Sequence, residues 1–83
     1  MNKKILKILN DSLETKLEKY GHNIVHNLNI IGRQYQKTNN ETIRNSYESM
    51  FHKIIDDMST KYNIEQYIIK TCKYNFEKIK RSV

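Results

Sequence analysis

The chain reads as an all-α protein, a small up-and-down bundle of three or four helices or a long helical hairpin, and three observations predict it. Apolar residues recur at steps of three and four through most of its length, no stretch alternates in the manner of a strand, and proline is absent altogether. With 83 residues there is room for one domain, residues 1–83, which buries only about 60% of the surface its unfolded chain exposes. A hydrophobic share of 37% is enough to build a core, and too much for a typical disordered chain.

The first element is the longest. Leu6, Leu9, Leu13, Leu17 and Tyr20, then Ile24, Leu28, Ile31 and Tyr35, fall within an arc of roughly 100° on a helical wheel. The pattern predicts helix over residues 3–37. Gly21 divides it: "EKYGHN" carries a glycine suited to a helix end and Asn23 suited to capping a second helix, so a break is favoured there, although the stripe keeps its phase across the glycine. Gly21 and Gly32 flank that stripe and suit a close approach between helices.

The central turn falls near residues 37–40, at "KTNNET". Thr38 with Glu41 three residues later has the capping-box pattern, and a helix is expected from about Asn40 to Thr60. Ile43, Tyr47, Met50, Phe51, Ile54, Ile55 and Met58 form its expected packed side. A last start signal lies at "YNIEQY", with Asn63 as the cap, Gln66 at the third helical position and Tyr62 placed against Tyr67. The final helix is expected over Ile64 to about Arg81.

Several kinds of chemistry find no support. His22 with His26 and His52 with Asp56 have the one-turn spacing of metal ligands, but both pairs point away from their apolar stripes and read as solvated polar faces. Cys72, the sole cysteine, permits no internal disulfide and sits among Ile68, Phe76 and Ile79 as a core residue rather than an activated thiol. Asp56 and Asp57 are adjacent and so diverge on a helix. Phosphate-cradling glycine loops and nucleophile motifs are missing, so no cofactor, no metal and no enzymatic activity are expected.

The apolar run at the start, Ile5 to Leu9, is interrupted by Lys7 and is too short for a secretory core or a membrane span. A cytoplasmic site, or a host-intracellular one for a viral protein, is the expectation. The triplets Asn10–Ser12 and Asn40–Thr42 match the glycosylation pattern but read as chance in so asparagine-rich a chain. Heavy use of Lys, Asn, Ile and Tyr resembles coding by an AT-rich genome, phage and viral genomes among them, which discounts the net charge of +6 as a functional sign.

The distribution of charge says more than its total. Residues 1–10 hold Lys3, Lys4 and Lys7 and no acid; residues 70–83 hold Lys70, Lys73, Lys78, Lys80 and Arg81 against Glu77 alone; the chain between them is close to balance. In an even-helix bundle or a hairpin the two ends lie together and form one basic pole. Lysines at a helix N-terminus oppose the helix dipole, which an anionic partner would offset.

On the last helix Ile64, Ile68, Ile69, Cys72, Phe76 and Ile79 share one side, and Tyr67, Lys70, Tyr74, Lys78 and Arg81 share the other. The candidate binding residues are therefore Tyr67, Lys70, Tyr74, Lys78 and Arg81, with Lys3, Lys4 and Lys7. The leading expectation is a non-catalytic binding or regulatory protein that docks on an acidic protein surface, as an inhibitor, immunity protein or adaptor does. Nucleic acid is the alternative, with the lysines on phosphates and the tyrosines stacking on bases. Peripheral attachment to an anionic membrane through an amphipathic helix in "NKKILKILNDSLETKL" is a further one. A hairpin would leave enough apolar surface to favour a homodimer. In size and helical build the chain is similar to small bacteriocin-immunity proteins and phage or viral inhibitors, a likeness of architecture without a shared motif.

Overall fold

A computed structural model describes residues 4–83. It contains four helices, α1 (Asp11–Glu18), α2 (His22–Lys37), α3 (Glu41–Thr60) and α4 (Gln66–Ser82), and no strand among the described residues. Successive legs run up and down: α2 packs against α1 and α3, and α4 closes on α2 and α3. The first leg is only half helix.

That half is the main departure from the periodic pattern. Residues 4–10, expected to be helical, form a non-helical strap, bent at Ile8 and Leu9, whose backbone is held by side chains from elsewhere in the chain. The Leu6 N–H donates to Gln36 Oε1 (2.9 Å), Gln36 Nε2 donates back to the Leu6 carbonyl (2.7 Å), and Asn75 Nδ2 donates to the Ile8 carbonyl (2.7 Å). Each bond replaces one that a helix would have made internally, so the buried backbone stays satisfied without a helix. The reward is the complete burial of Ile8 and Leu9, two consecutive side chains. Gly32 makes room for the strap: a Cβ there would lie 3.1 Å from Ile8 Cγ1 and 3.6 Å from Ile79 Cδ1. The close approach expected at Gly32 is therefore real, but it admits the strap's side chain as well as α4.

Helix α1 starts where Asn10 Oδ1 accepts the Leu13 N–H (2.8 Å), and α3 where Asn40 Oδ1 accepts the Ile43 N–H (3.1 Å). Both glycosylation-like triplets thus begin with an N-capping asparagine. The capping box expected at Thr38 does not form; Thr38 ends α2, and its hydroxyl accepts the Asn40 N–H within the turn. The chain breaks between α1 and α2 at Gly21, not under a cap from Asn23. At φ 142° Gly21 occupies backbone space that side chains rarely enter, and nothing lies within 4 Å of a Cβ placed there. Its role is conformational, and it takes no part in close packing.

Asn63 does not cap α4. It adopts a left-handed conformation (φ 52°), and the Ile64 N–H returns to the Met58 carbonyl (2.8 Å), which stops α3 and seats Ile64 in the core. Helix α4 accordingly begins at Gln66, after Glu65, and the expected staple of Tyr62 on Tyr67 gives way to the Lys16 ammonium, 5.0 Å from the centre of the Tyr67 ring.

The core joins all four legs. Phe51 and Phe76 stack at 4.2 Å between centroids, and Tyr35 meets Phe76 edge-on at 5.3 Å. Ile64, Ile68, Ile69, Cys72, Phe76 and Ile79 are all buried, as the periodicity of α4 predicts. Along α3 the expected packed side is narrower than the pattern: Phe51, Ile55 and Met58 are buried, whereas Ile43 and Met50 are 44% and 48% exposed. These two lie at the flank of the stripe centred on Phe51, beyond the reach of α2 and α4.

Candidate binding face

The outward side of α4 presents Tyr67, Lys70, Tyr74, Lys78 and Arg81, all exposed. They reach solvent because the opposite side of the same helix is filled by isoleucines, Cys72 and Phe76. Tyr74 is 60% exposed and Tyr67 48%, more than a tyrosine needs for its hydroxyl alone to be wet. Each ring has an ammonium nearby: Lys16 of α1 at Tyr67, and Lys78 at 5.8 Å from the centre of Tyr74. Lys16 thereby joins the face from a second helix.

Lys7 stands beside this face. With Leu6, Asn75 and Lys78 it lines a small cleft of about 60 Å³ between the strap and α4. The hydrogen bond from Asn75 to the Ile8 carbonyl fixes that neighbourhood, so Lys7 of the strap and Lys78 of α4 border the same cleft. Lys4 is exposed on the strap; Lys3 lies outside the described residues. For Lys4 and Lys7 the expected clash with a helix dipole is absent, because the helix starts at Asp11 and carries Asp11 and Glu14 in its first turn, where the dipole favours acids. Lys7 is paired with Glu14 at 3.4 Å, with the lysine exposed and the carboxylate half-buried.

The basic residues of α4 do not all serve one face. Lys80 turns inward to Glu48 of α3 at 2.8 Å and to Glu77 at 3.4 Å. Its hydrogen bond holds the Glu48 carboxyl below the usual value, and the same bond raises the Lys80 ammonium. Lys80 ties α4 to α3, while among the described residues Lys70 and Arg81 make no ion pair.

A second depression, of about 370 Å³, was not marked by the sequence pattern. It lies on the other side of the strap, lined by Ile5, Leu6, Lys7, Asn29 and Arg33. The signal lay in Asn29 and Arg33, one turn apart on α2 and on either side of Gly32, but its meaning depends on the strap that Gly32 admits.

The remaining titratable groups are dispersed. His22 and His26 are exposed, with rings 6.4 Å apart, and His52 is exposed beside Glu48. Among the described residues no group of three or more histidine, cysteine or acidic side chains is placed to hold a metal ion. The Cys72 thiol is fully buried, and desolvation pushes it up to about 12, so it stays protonated. Asp57 pairs with Lys53 and Asp56 faces solvent. No helix among the described residues is long and apolar enough to cross a membrane. Residues 4–10 do not supply the amphipathic helix expected of a membrane anchor, since they are not helical and Ile8 and Leu9 are buried in the core. Comparison with known proteins finds no family model, no characterised protein and no solved structure that matches this chain.

Proposed function

We propose that the protein is a non-catalytic binding or regulatory protein that docks its basic end and the tyrosine face of α4 on an acidic surface of a partner protein. The observation that carries this reading is the meeting of Lys7 with Lys78 in one cleft, at the edge of a face whose Lys70 and Arg81 are unpaired. Like charges gathered with Glu14 as the one carboxylate paired among them, on Lys7, favour an anionic partner and speed its encounter. A protein is favoured over nucleic acid because Tyr67 and Tyr74 each have a lysine ammonium lying near the ring, which competes with a base for its face and leaves the hydroxyl free for a carboxylate.

Affinity capture with and without nuclease separates the two partners. The expected partner survives nuclease and is lost from the Tyr67→Ala, Tyr74→Ala double variant, whose circular dichroism is unchanged. Binding to DNA or RNA that falls steeply with salt, and falls equally for all sequences in the Lys70→Glu, Lys78→Glu variant, would replace this reading with the nucleic-acid one.

A further inference from the structure

Two depressions share a wall. Leu6 and Lys7 of the strap line both the larger hollow against Asn29 and Arg33 of α2 and the smaller cleft against Asn75 and Lys78 of α4. Lys7 therefore has Arg33 across one depression and Lys78 across the other, and three cations from three separate segments border the two depressions, together the groove astride Lys7. Only Lys7 has a counterion among the described residues, the partly buried Glu14 at 3.4 Å, and the Lys7 side chain is open enough for an incoming carboxylate to share it.

The rest of the lining is not that of a phosphate site. Ile5, 40% exposed, and Leu6 give the larger hollow an apolar wall, and no aromatic ring lines either depression. Single-stranded nucleic acid draws its affinity from stacking as well as from charge, and this groove offers no ring to stack on. Asn29 lines the larger hollow, and its amide oxygen is buried with no hydrogen-bond partner among the described residues. That amide can turn over without breaking a bond made by its oxygen, presenting either a donor to a carboxylate or an acceptor to a peptide N–H. Cations on both sides of an apolar wall, with an uncommitted amide, match a polypeptide that carries acidic and apolar side chains in alternation.

We infer that the groove astride Lys7 binds an extended acidic segment of the partner protein, with its carboxylates on Arg33, Lys7 and Lys78 and an apolar side chain on Ile5 and Leu6. This rests on the protein-partner reading and moves its anchor from the outward face of α4 to the strap and α2. Arg33 is the discriminating residue, because it lies in the groove and is not among the α4 residues.

The test is binding, by fluorescence anisotropy, of a positional-scanning library of capped ten-residue peptides built from Asp, Glu, Leu and Val. Charge-matched oligo-aspartate and a single-stranded DNA decamer serve as controls. The expected result is a peptide of mixed acidic and apolar residues that binds at least tenfold tighter than oligo-aspartate. Arg33→Glu should weaken it at least tenfold with unchanged circular dichroism, and Lys70→Glu should weaken it less than threefold. Chemical-shift changes should then centre on residues 5–7, 29 and 33. Loss on Lys70→Glu but not on Arg33→Glu overturns this inference and leaves the acidic-partner reading standing. Oligo-aspartate or the DNA binding as tightly as any library peptide, or no library peptide binding above background, overturns it as well.

Discussion

The strap and helix α4 are written in similar letters and fold differently. Lys4–Asn10 and Gln66–Arg81 both interleave lysines with isoleucine or leucine, and both contribute fully buried side chains, Ile8 and Leu9 from the one, Cys72 and Ile79 from the other. In α4 the backbone bonds to itself and the division into faces follows from helical spacing. In the strap the backbone is satisfied by Gln36 and Asn75, which lie 30 and 67 residues away along the chain. The difference teaches that periodicity identifies which side chains leave water, while the conformation carrying them there depends on which distant polar groups are on offer.

Variants can break that comparison. Phe76→Ala removes the ring on which Phe51 and Tyr35 converge and should cost about 3 to 5 kcal/mol, enough to unfold a domain this small; thermal denaturation followed by circular dichroism measures it. An α4 that stays docked after the loss would show the strap to be the stronger tie. Gly32→Ala presses chiefly on the strap, pushing Ile8 aside by a few tenths of an ångström, and since Ala gains about 1 kcal/mol over Gly within a helix the expected net cost is no more than about 2 kcal/mol. Pairing it with Ile8→Ala should be less destabilising than the sum of the single changes, because the second substitution empties the space the new methyl needs. Strict additivity would mean that Ile8 does not occupy that space in solution.

Asn10→Ala removes the cap that ends the strap and begins α1, and should cost about 1 kcal/mol. The comparison sharpens if residues 4–10 then gain helical signal, since Asn10 would be what divides strap from helix.

The smallest effect concerns α4 and its tie to α3. The Glu48–Lys80 pair is more than a quarter exposed at each side chain, so Glu48→Gln should cost less than about 1 kcal/mol. The sign with pH follows from the folded carboxyl lying below its usual value of 4.5. The pair's contribution is present above that value and disappears as pH falls through the lowered one. From the lysine side it is present below the usual 10.5 and lost as pH rises through the raised value. Melting temperatures taken from neutral to strongly acidic pH should fall less steeply for Glu48→Gln than for the parent chain.

How far the sequence is legible follows from the same contrast. The all-helical build, the core side of α4, the break at Gly21 and the buried run from Leu9 to Tyr35 are legible from local signals, whereas the pattern alone left three helices, four helices or a hairpin open. The strap was hidden because nothing near Leu6 announces Gln36 as its partner. Ile43 and Met50 were assigned to the packed side because α3 has more apolar positions than its neighbours can cover. At the candidate site the five residues of the α4 face were readable from spacing alone. Arg33 and Asn29 were not, since on a wheel they are merely the polar flank of α2, and they become part of a groove only once Leu6 and Lys7 lie across Gly32.

The burial of Cys72 has a practical consequence for following the opening of the bundle. As the sole thiol of the chain, sealed in the core and held protonated, it is a built-in stopwatch: an alkylating reagent reaches it only when α4 lifts from the bundle. Its rate of modification reports that opening directly, with no label added, and leaves any new cysteine placed on the surface free to be tagged alone.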